Sequence, residues 1–296
     1  MTINVLVTGG AGFVGSNLIE QLVKRNNSTM SYKIVSLDNY FTGSKKNHIQ
    51  NENVTYIEGN TWDADAILKK WHFDIVCHFG EYSRIHQSFN DIQVLYKSIM
   101  QGTPIILELV RKWGAKLIYS ASSSSLGNNG CDEELSPYAW MKSKMIELIK
   151  NYKKWYGLEY QICYFFNVYG SRQIEYGKYA TVVGVFERQY REKKPLTIVK
   201  PGTQSRDFTH INDVVDGLIR TIHTPHIHKE WFFRTYKETK ITTLASYFKH
   251  QISYIPERKG ERKQSCIVQN DTDQLLRWKA KCDLKDYITS IISSHN

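Results

Sequence analysis

A tyrosine and a lysine one helical turn apart are the residues best suited to acid–base chemistry in this chain. Tyr138 and Lys142 lie in a segment with helical patterning, where positions i and i+4 share a face. A phenol has a pKa of about 10 and is a poor base at neutral pH, but a neighbouring ammonium favours the phenolate. Sixteen residues before Tyr138, Ser122 stands in a serine-rich stretch and could hydrogen-bond the reacting oxygen. The three side chains predict proton abstraction from a hydroxyl, although Tyr-x-x-x-Lys alone also occurs by chance.

A glycine-rich loop near the first residue predicts a phosphate site. An apolar run, Ile3 to Val7, precedes the loop and an amphipathic stretch, Ser16 to Lys24, follows it. A strand, a tight turn and a helix N-terminus in this order hold a pyrophosphate. Gly9 permits the turn, Gly12 lets the backbone approach the phosphates, and Gly15 lets the helix pack closely on the sheet. A P-loop is excluded, because Ser16-Asn17 stands where Lys followed by Ser or Thr is needed. A glycine turn without a ligand is the alternative.

An acidic residue lies where a dinucleotide site needs one. The apolar run Lys33 to Leu37 ends in Asp38-Asn39, about twenty residues beyond the loop, where a carboxylate binds the adenosine ribose hydroxyls. That carboxylate would repel the additional phosphate of NADP. The predicted cofactor is therefore NAD.

Composition limits the function classes. The 296 residues can form one large core or two joined lobes, and 41% hydrophobic and 23% charged residues are ordinary for a globular protein. The five cysteines form no CxxC pair, which predicts reduced thiols in a cytoplasmic protein and no metal site. No apolar run is long enough to span a membrane. A net charge of +10 suits an anionic ligand, and the absence of a basic stripe with interleaved aromatics argues against nucleic acid.

Alternating segments predict an α/β protein with a doubly wound parallel sheet. Six strands are expected, and the helices between them are expected at residues 16–24, 63–71, 88–112 and 138–156. The predicted strands are residues 3–7, 33–37, 54–57, 73–79, 115–119 and 160–165. After residue 165 the elements shorten. The sequence therefore predicts a nucleotide-binding domain over 1–165 and a smaller substrate-binding lobe over 166–296, partly interleaved with it.

These motifs resemble those of the extended short-chain dehydrogenases/reductases, in the nucleotide-sugar epimerase branch typified by UDP-glucose 4-epimerase. The similarity covers nearly the whole chain and includes His78-Phe79-Gly80, Phe165 to Gly170, Gln204 to Phe208 and Arg258 to Glu261. It implies a Rossmann fold that binds NAD. The implied cofactor-binding residues are Gly9, Gly12, Phe13, Val14, Gly15, Asp38, Asn39, Asn60, Thr61, Phe79, Gly80, Tyr138, Lys142 and Phe166. The implied substrate-binding residues are Ser122, Ser124, Asn167, Arg206, Arg258, Glu261 and Ser265, with Asn167 and the two arginines on the diphosphate.

The chain departs from this family at several positions. Asn60 replaces an Asp that contacts adenine, Tyr164 replaces a common Arg, and Ile99 replaces an Asn that positions cofactor or relays protons. Ser98 is the nearest substitute for that Asn. The dehydratase branch carries Thr-Asp-Glu at the end of the fifth strand; this chain has serines there and lacks the acid, so dehydration is not expected.

The resemblance implies epimerisation of a nucleotide-diphosphate sugar, most readily a UDP-sugar, at C4. Tyr138 would take the proton of the 4-hydroxyl, hydride would pass to NAD, and the 4-keto sugar would turn over before the hydride returns. An NAD(P)H-dependent reductase of a 4-keto nucleotide sugar would use the same residues and consume the cofactor. A non-catalytic NAD-binding sensor is the third interpretation.

Two further expectations concern assembly and specificity. Stripes of apolar residues on two long helices predict a homodimer, unless both stripes only cover the sheet; they comprise Ile92, Leu95, Ile99 and Ile106 on one helix and Met141, Met145, Leu148 and Tyr152 on the other. In the resembling epimerases, the residue seven positions after the second phosphate-binding arginine gates the sugar pocket. Counting from Arg258 leads to Ser265, a small residue that would admit a 2-acetamido group.

Overall fold

A seven-stranded parallel sheet forms the centre of the protein in the computed structural model, which describes residues 1–126, 133–260, 263, 268 and 270–295. The strand order is β3-β2-β1-β4-β5-β6-β9. The strands are β1 (Thr2–Thr8), β2 (Ser31–Asp38), β3 (Val54–Glu58), β4 (Ile75–His78), β5 (Lys116–Ser122), β6 (Tyr160–Phe165), β7 (Leu196–Val199), β8 (Ser205–Asp207), β9 (Lys229–Phe233), β10 (Glu238–Lys240) and β11 (Ile252–Ile255). The doubly wound α/β prediction is confirmed.

Helices cover both faces of this sheet. They are α1 (Phe13–Val23), α2 (Ala64–Ile67), α3 (Ile92–Leu95), α4 (Gly102–Trp113), α5 (Pro137–Tyr156), α6 (Val182–Arg191), α7 (Ile211–His223), α8 (Ile241–Tyr247), α9 (Thr272–Leu275) and α10 (Leu284–His295). Alternate residues of each strand point to opposite faces, so Leu6 joins a core with α4 and α5, whereas Val5 and Val7 join a core with α1 and α7. Both faces are buried, which explains the continuous apolar strands in the sequence.

The strand order reverses beside β1, and this reversal positions the site. β1 pairs with β2 on one side and with β4 on the other. The connections that leave these strands run in opposite directions, so a crevice opens at their carboxyl ends, where ligands bind in such sheets. The glycine loop follows β1, and Phe79-Gly80 follows β4.

Residues after 165 contribute to both parts of the molecule. Two small sheets, β8 with β10 and β7 with β11, pack with α6, α8 and α10 around a separate core. The helix α7 and the strand β9 instead return to the main sheet, where β9 pairs with β6 and α7 packs against α1. The division at residue 165 stays a proposal.

The long helix predicted at 88–112 is broken into pieces. A 3₁₀ turn at His86–Phe89 and the short α3 precede a π-helical segment, Tyr96–Gln101, and only then does α4 begin. A π-turn takes an additional residue and shifts the following side chains around the axis. Ile99 is consequently fully buried in the core, while Ser98 lines the crevice and its hydroxyl accepts a hydrogen bond from the Tyr82 backbone N–H at 2.7 Å. The predicted helix at 63–71 is also shorter, with α2 ending at Ile67.

Most of the apolar residues predicted to form a dimer surface cover the sheet of their own chain. Leu95, Ile99, Ile106, Met141, Met145 and Tyr152 are buried in the core on that face. The outer faces of these helices carry exposed Trp140 and Trp155 instead. A homodimer therefore stays a prediction: sedimentation at micromolar concentration should give twice the chain mass of 34.5 kDa, and a monomer would refute it. Within the described residues, no helix is long and apolar enough to cross a membrane.

Candidate active site

The crevice at the carboxyl ends of β1, β4 and β5 contains a cavity of about 520 Å³. Most of the predicted site residues line it. They are Gly9, Gly12, Phe13, Val14, Gly15, Asp38, Asn39, Thr61, Phe79, Gly80, Ser122, Ser124, Tyr138, Lys142, Asn167, Arg206 and Arg258. Residues from both halves of the sequence thus meet in one space.

The glycine loop has the geometry of a phosphate cradle. Gly9 has φ +71°, a left-handed conformation that favours glycine, and its carbonyl accepts the Gly12 N–H at 3.1 Å. A Cβ at Gly15 would overlap the Gly9 carbonyl, so only glycine allows this approach of α1. Gly12 is the N-cap of α1, and no side chain in the described part of the chain caps that helix end. The first N–H groups of α1 are therefore available to an anion.

Two substitutions in this loop should separate folding from ligand binding. Gly15→Ala should lower the free energy of unfolding by about 1–3 kcal/mol, because backbone must move to admit the methyl group. Gly12→Ala should cost less stability than Gly15→Ala, since its φ of −80° suits alanine and its Cβ would meet the Gly9 carbonyl oxygen at 3.1 Å, against 2.3 Å for a Cβ at Gly15, but it should weaken NAD binding. Urea unfolding and calorimetry measure the two effects, and equal loss of stability in both variants would contradict this assignment.

Asp38, at the end of β2, is hydrogen-bonded to the backbone of the glycine loop. Asp38 is buried, and its carboxylate accepts N–H groups from Ala11 at 2.9 Å and Tyr40 at 2.8 Å. Burial raises the pKa of Asp38, and these backbone hydrogen bonds oppose the shift. The neighbouring Asn39 donates to the Asn60 side-chain oxygen at 3.0 Å. A buried carboxylate beside the cradle fits an NAD ribose and opposes a 2′-phosphate.

Removing the Asp38 charge should reduce the preference for NAD over NADP. Asp38→Ala should weaken NAD binding by about 10- to 100-fold, because charge-assisted hydrogen bonds to the ribose are lost. Asp38→Asn keeps a side-chain oxygen for the Tyr40 or Ala11 N–H and separates loop folding from recognition. Fluorescence titration of both dinucleotides measures the effect; equal wild-type affinities for NAD and NADP would remove the role of the carboxylate.

Ser122 and Tyr138 meet at the end of β5. Ser136 caps α5 by accepting the Ala139 N–H at 3.1 Å, and Pro137 occupies the first helical position, which places Tyr138 in the first turn. Its phenol is hydrogen-bonded to Ser122, whose hydroxyl also lies 2.8 Å from the Ser124 hydroxyl. The serine and tyrosine predicted from sequence therefore form a contact.

The Lys142 ammonium does not act on Tyr138 as the sequence predicts. It forms a buried ion pair with Glu81, donates to the Ser120 carbonyl and lies 4.1 Å from the centroid of the Tyr119 ring. Burial, together with the Glu81 charge, raises the pKa of Tyr138 to about 12. The hydrogen bond from Ser122 and the Arg84 guanidinium act in the opposite direction. The expected lowering by Lys142 is thus wrong for this structure, because Glu81 balances the ammonium.

A directed chain of hydrogen bonds fixes Glu81. The Thr103 hydroxyl donates to the Glu81 carboxylate, so its oxygen accepts from His78 Nε2 at 3.0 Å. His78 Nδ1 then accepts the Thr8 hydroxyl at 2.7 Å. Burial lowers the pKa of His78 to about 4, so the ring is neutral and carries its proton on Nε2. The network ties β1, β4 and α4 to the site.

Residues from the second half of the chain also line the cavity. Asn167 follows β6 with φ +30° and donates to the Asp207 carbonyl at 3.2 Å. Arg206 lies in β8, and Arg258 follows β11. These three side chains line the same cavity, as the family resemblance implies for a diphosphate site.

Some predicted residues are not in this lining. Phe166 is fully buried beneath the Arg234 guanidinium, and Phe165 lines the cavity instead, because neighbouring residues at the end of a strand point to opposite sides. Asn60 does not line the cavity, and its side chain is hydrogen-bonded to Asn39 and Asp63. Glu261 and the gate residue Ser265 lie outside the described residues.

Sequence reasoning missed two charged residues, Glu81 and Arg84. Both follow β4 in the stretch Gly80-Glu81-Tyr82-Ser83-Arg84 and line the cavity. Their place in the sequence could have identified them, because charged residues immediately after a buried parallel strand lie at the ligand-binding edge of the sheet. Only the structure could reveal that Glu81 takes Lys142 as its partner.

The fold and site define a dinucleotide-binding α/β protein with a Ser-Tyr-Lys set. Residues 5–230 match the NAD dependent epimerase/dehydratase family, and the chain belongs to this family, which makes NAD its cofactor. A putative UDP-glucose 4-epimerase of Methanocaldococcus jannaschii is 30% identical over 98% of this chain and 97% of its own length. A solved UDP-glucose 4-epimerase of Thermotoga maritima, crystallised with UDP-glucose, superposes with a TM-score of 0.89 at 25% identity and 98% coverage of both chains. UDP-glucuronic acid decarboxylase 4 of Arabidopsis thaliana is 29% identical over 76% of this chain and 52% of its own length.

Proposed function

We propose that this protein is an NAD-dependent 4-epimerase of a UDP-sugar that works through a transient 4-keto sugar. The observation that carries the proposal is the Ser122–Tyr138 contact inside the cavity that the glycine loop lines. The M. jannaschii relative, which matches over nearly its full length, supports a UDP-sugar substrate and C4 as the reacting carbon. The strand end offers serines and no acid for eliminating water.

In this mechanism the protein binds the sugar nucleotide and moves one proton. NAD, when bound, supplies a hydride acceptor that returns the hydride within the same turnover. Tyr138, in the phenolate form that the positive charge of bound NAD would favour, takes the proton from the sugar 4-hydroxyl while Ser122 hydrogen-bonds that oxygen. The Lys142 ammonium, fixed by Glu81 and Ser120, would hold the cofactor ribose. Asn167, Arg206 and Arg258 hold the diphosphate, for which guanidinium groups are suited.

Three other activities would use the same cavity. A reductase of a 4-keto sugar would consume NADH stoichiometrically, a decarboxylase would turn a UDP-uronate into a UDP-pentose, and a sensor would bind NAD without turnover. The proposed epimerase interconverts two hexoses without net change in NADH.

Product analysis of the NAD-loaded protein tests the proposal. UDP-glucose, UDP-N-acetylglucosamine and UDP-glucuronate are supplied separately, while chromatography follows the sugar nucleotide and absorbance follows NADH. We expect the 4-epimer of at least one sugar with constant NADH absorbance. Net oxidation of NADH would indicate the reductase, and release of a UDP-pentose would indicate the decarboxylase. Unchanged sugars despite bound NAD would indicate the sensor.

A further inference from the structure

Arg84 lines the cavity and has no anionic partner among the residues that the structure describes. Its Nε donates to the Tyr179 carbonyl at 2.6 Å, and its Nη1 donates to the Ser83 carbonyl at 2.7 Å and the Ser83 hydroxyl at 3.3 Å. These neutral acceptors fix the guanidinium but do not balance its charge. Within the described ranges, no carboxylate lies within ion-pair distance of Arg84, whereas Arg172 and Arg234 meet Glu20 and Asp207 at 2.7 and 2.9 Å.

The surroundings of Arg84 are poor in compensating charge. The side chain is partly buried, and loss of water lowers the pKa of its guanidinium. The nearest acid along the chain, Glu81, is taken by Lys142. An uncompensated charge held away from water is costly, and an anionic ligand that reaches it removes that cost.

The position of Arg84 indicates which part of a ligand would reach it. Arg84 follows β4, next to the strand that carries Ser122, and its charge acts on the Tyr138 phenol. The arginines assigned to the diphosphate come from β8 and from the segment after β11. The guanidinium therefore lines the same cavity as Tyr138 and Ser122, at the ends of the paired strands β4 and β5.

We propose that Arg84 binds a carboxylate carried by the sugar, so that the preferred substrate is a UDP-hexuronate. The inference rests on the proposed 4-epimerase function. A base that acts on the 4-hydroxyl lies next to C5, and the C6 carboxylate of a hexuronate is attached there. Nε and Nη1 already donate to Tyr179 and Ser83, and within the described residues Nη2 has no acceptor, so Nη2 is the group that would donate to a carboxylate. An uncharged hexose would leave the cation unbalanced.

Calorimetry on the NAD-loaded protein tests this site with UDP, UDP-glucose and UDP-glucuronate as probes. We expect wild-type protein to bind UDP-glucuronate about tenfold more tightly than UDP-glucose. Arg84→Gln should remove that difference and leave the affinities for UDP and UDP-glucose within about twofold. Arg84→Lys, which keeps the charge without the planar fork, should retain part of the preference. Arg172→Gln, which removes a cation paired with Glu20, should retain all of it.

The outcomes identify the source of the anion. If Arg84→Gln weakens binding of UDP itself as much as that of UDP-glucuronate, Arg84 is a diphosphate ligand and the proposal is overturned. Equal affinities of the wild-type protein for UDP-glucose and UDP-glucuronate also overturn the proposal. This comparison needs no variant, so the proposal can be rejected even if Arg84→Gln folds poorly. Turnover of UDP-glucose without a preference for UDP-glucuronate rejects the carboxylate site and leaves the epimerase standing. If the preference for UDP-glucuronate depends on Arg84 but no epimer forms, the carboxylate site stands and the epimerase function is rejected.

Discussion

Tyr138→Phe should reduce turnover by about 10²- to 10⁴-fold while NAD and UDP-sugar binding stay within a few-fold of wild type. Only the phenol oxygen is lost, and phenylalanine fills the same volume against the core. The structure strengthens this expectation because the Tyr138 hydroxyl is the partner of Ser122 in the cavity. Turnover is measured by chromatography of the sugar nucleotides, and binding by calorimetry on the same preparation.

A second tyrosine on the same helix provides the matched control. The Tyr152 hydroxyl donates to Glu108 at 2.9 Å, and Tyr152 lies in the last turns of α5, outside the cavity lining. Tyr152→Phe also removes one phenol oxygen and should leave kcat within about twofold. If Tyr138→Phe retains more than half of the wild-type rate, another group is the base.

Local patterns in the sequence were sufficient for most of the fold. The glycine loop, Asp38 and the apolar strands follow from turn geometry and strand periodicity, which are properties of short segments. The π-helical segment before α4 was not predictable in this way, because periodicity over 88–112 is compatible with one uninterrupted helix. Its effect is specific: it buries Ile99 and turns Ser98 to the crevice.

The sequence was sufficient to predict which residues form the candidate site, but less so to predict which side chains they contact. The i, i+4 spacing correctly placed Tyr138 and Lys142 on one helix, but it did not reveal which charge Lys142 would meet. Glu81 lies sixty-one positions earlier in the chain, and the two meet because β4 pairs with β5 and α5 packs on that face of the sheet. Likewise, the two-sided geometry of a strand end decides that Phe165, and not Phe166, faces the cavity.

The ion pair between Glu81 and Lys142 should be among the most sensitive points of the fold. Both side chains are almost fully buried, with 2% and 3% of their surface exposed. Glu81→Gln leaves the Lys142 ammonium in a buried position without a counter-charge, and breaking such a pair costs about 3–5 kcal/mol. Burial lowers the pKa of Lys142, whereas the Glu81 charge raises the pKa of that same lysine. The variant therefore loses the group that keeps Lys142 charged. Urea unfolding of the wild type and the variant measures the loss.

An exposed pair on the same helix gives the comparison for this prediction. Glu147 pairs with Lys144 at 2.8 Å on the surface of α5, and Glu147→Gln should cost less than about 1 kcal/mol. Replacing both buried partners, as Glu81→Gln with Lys142→Met, should recover part of the stability lost in Glu81→Gln, because the unpaired charge is then removed. Equal costs for the buried and the exposed glutamate, or a double variant less stable than Glu81→Gln alone, would show that Glu81 does not neutralise a buried lysine. The sign of that recovery decides between charge compensation and simple packing as the role of Glu81.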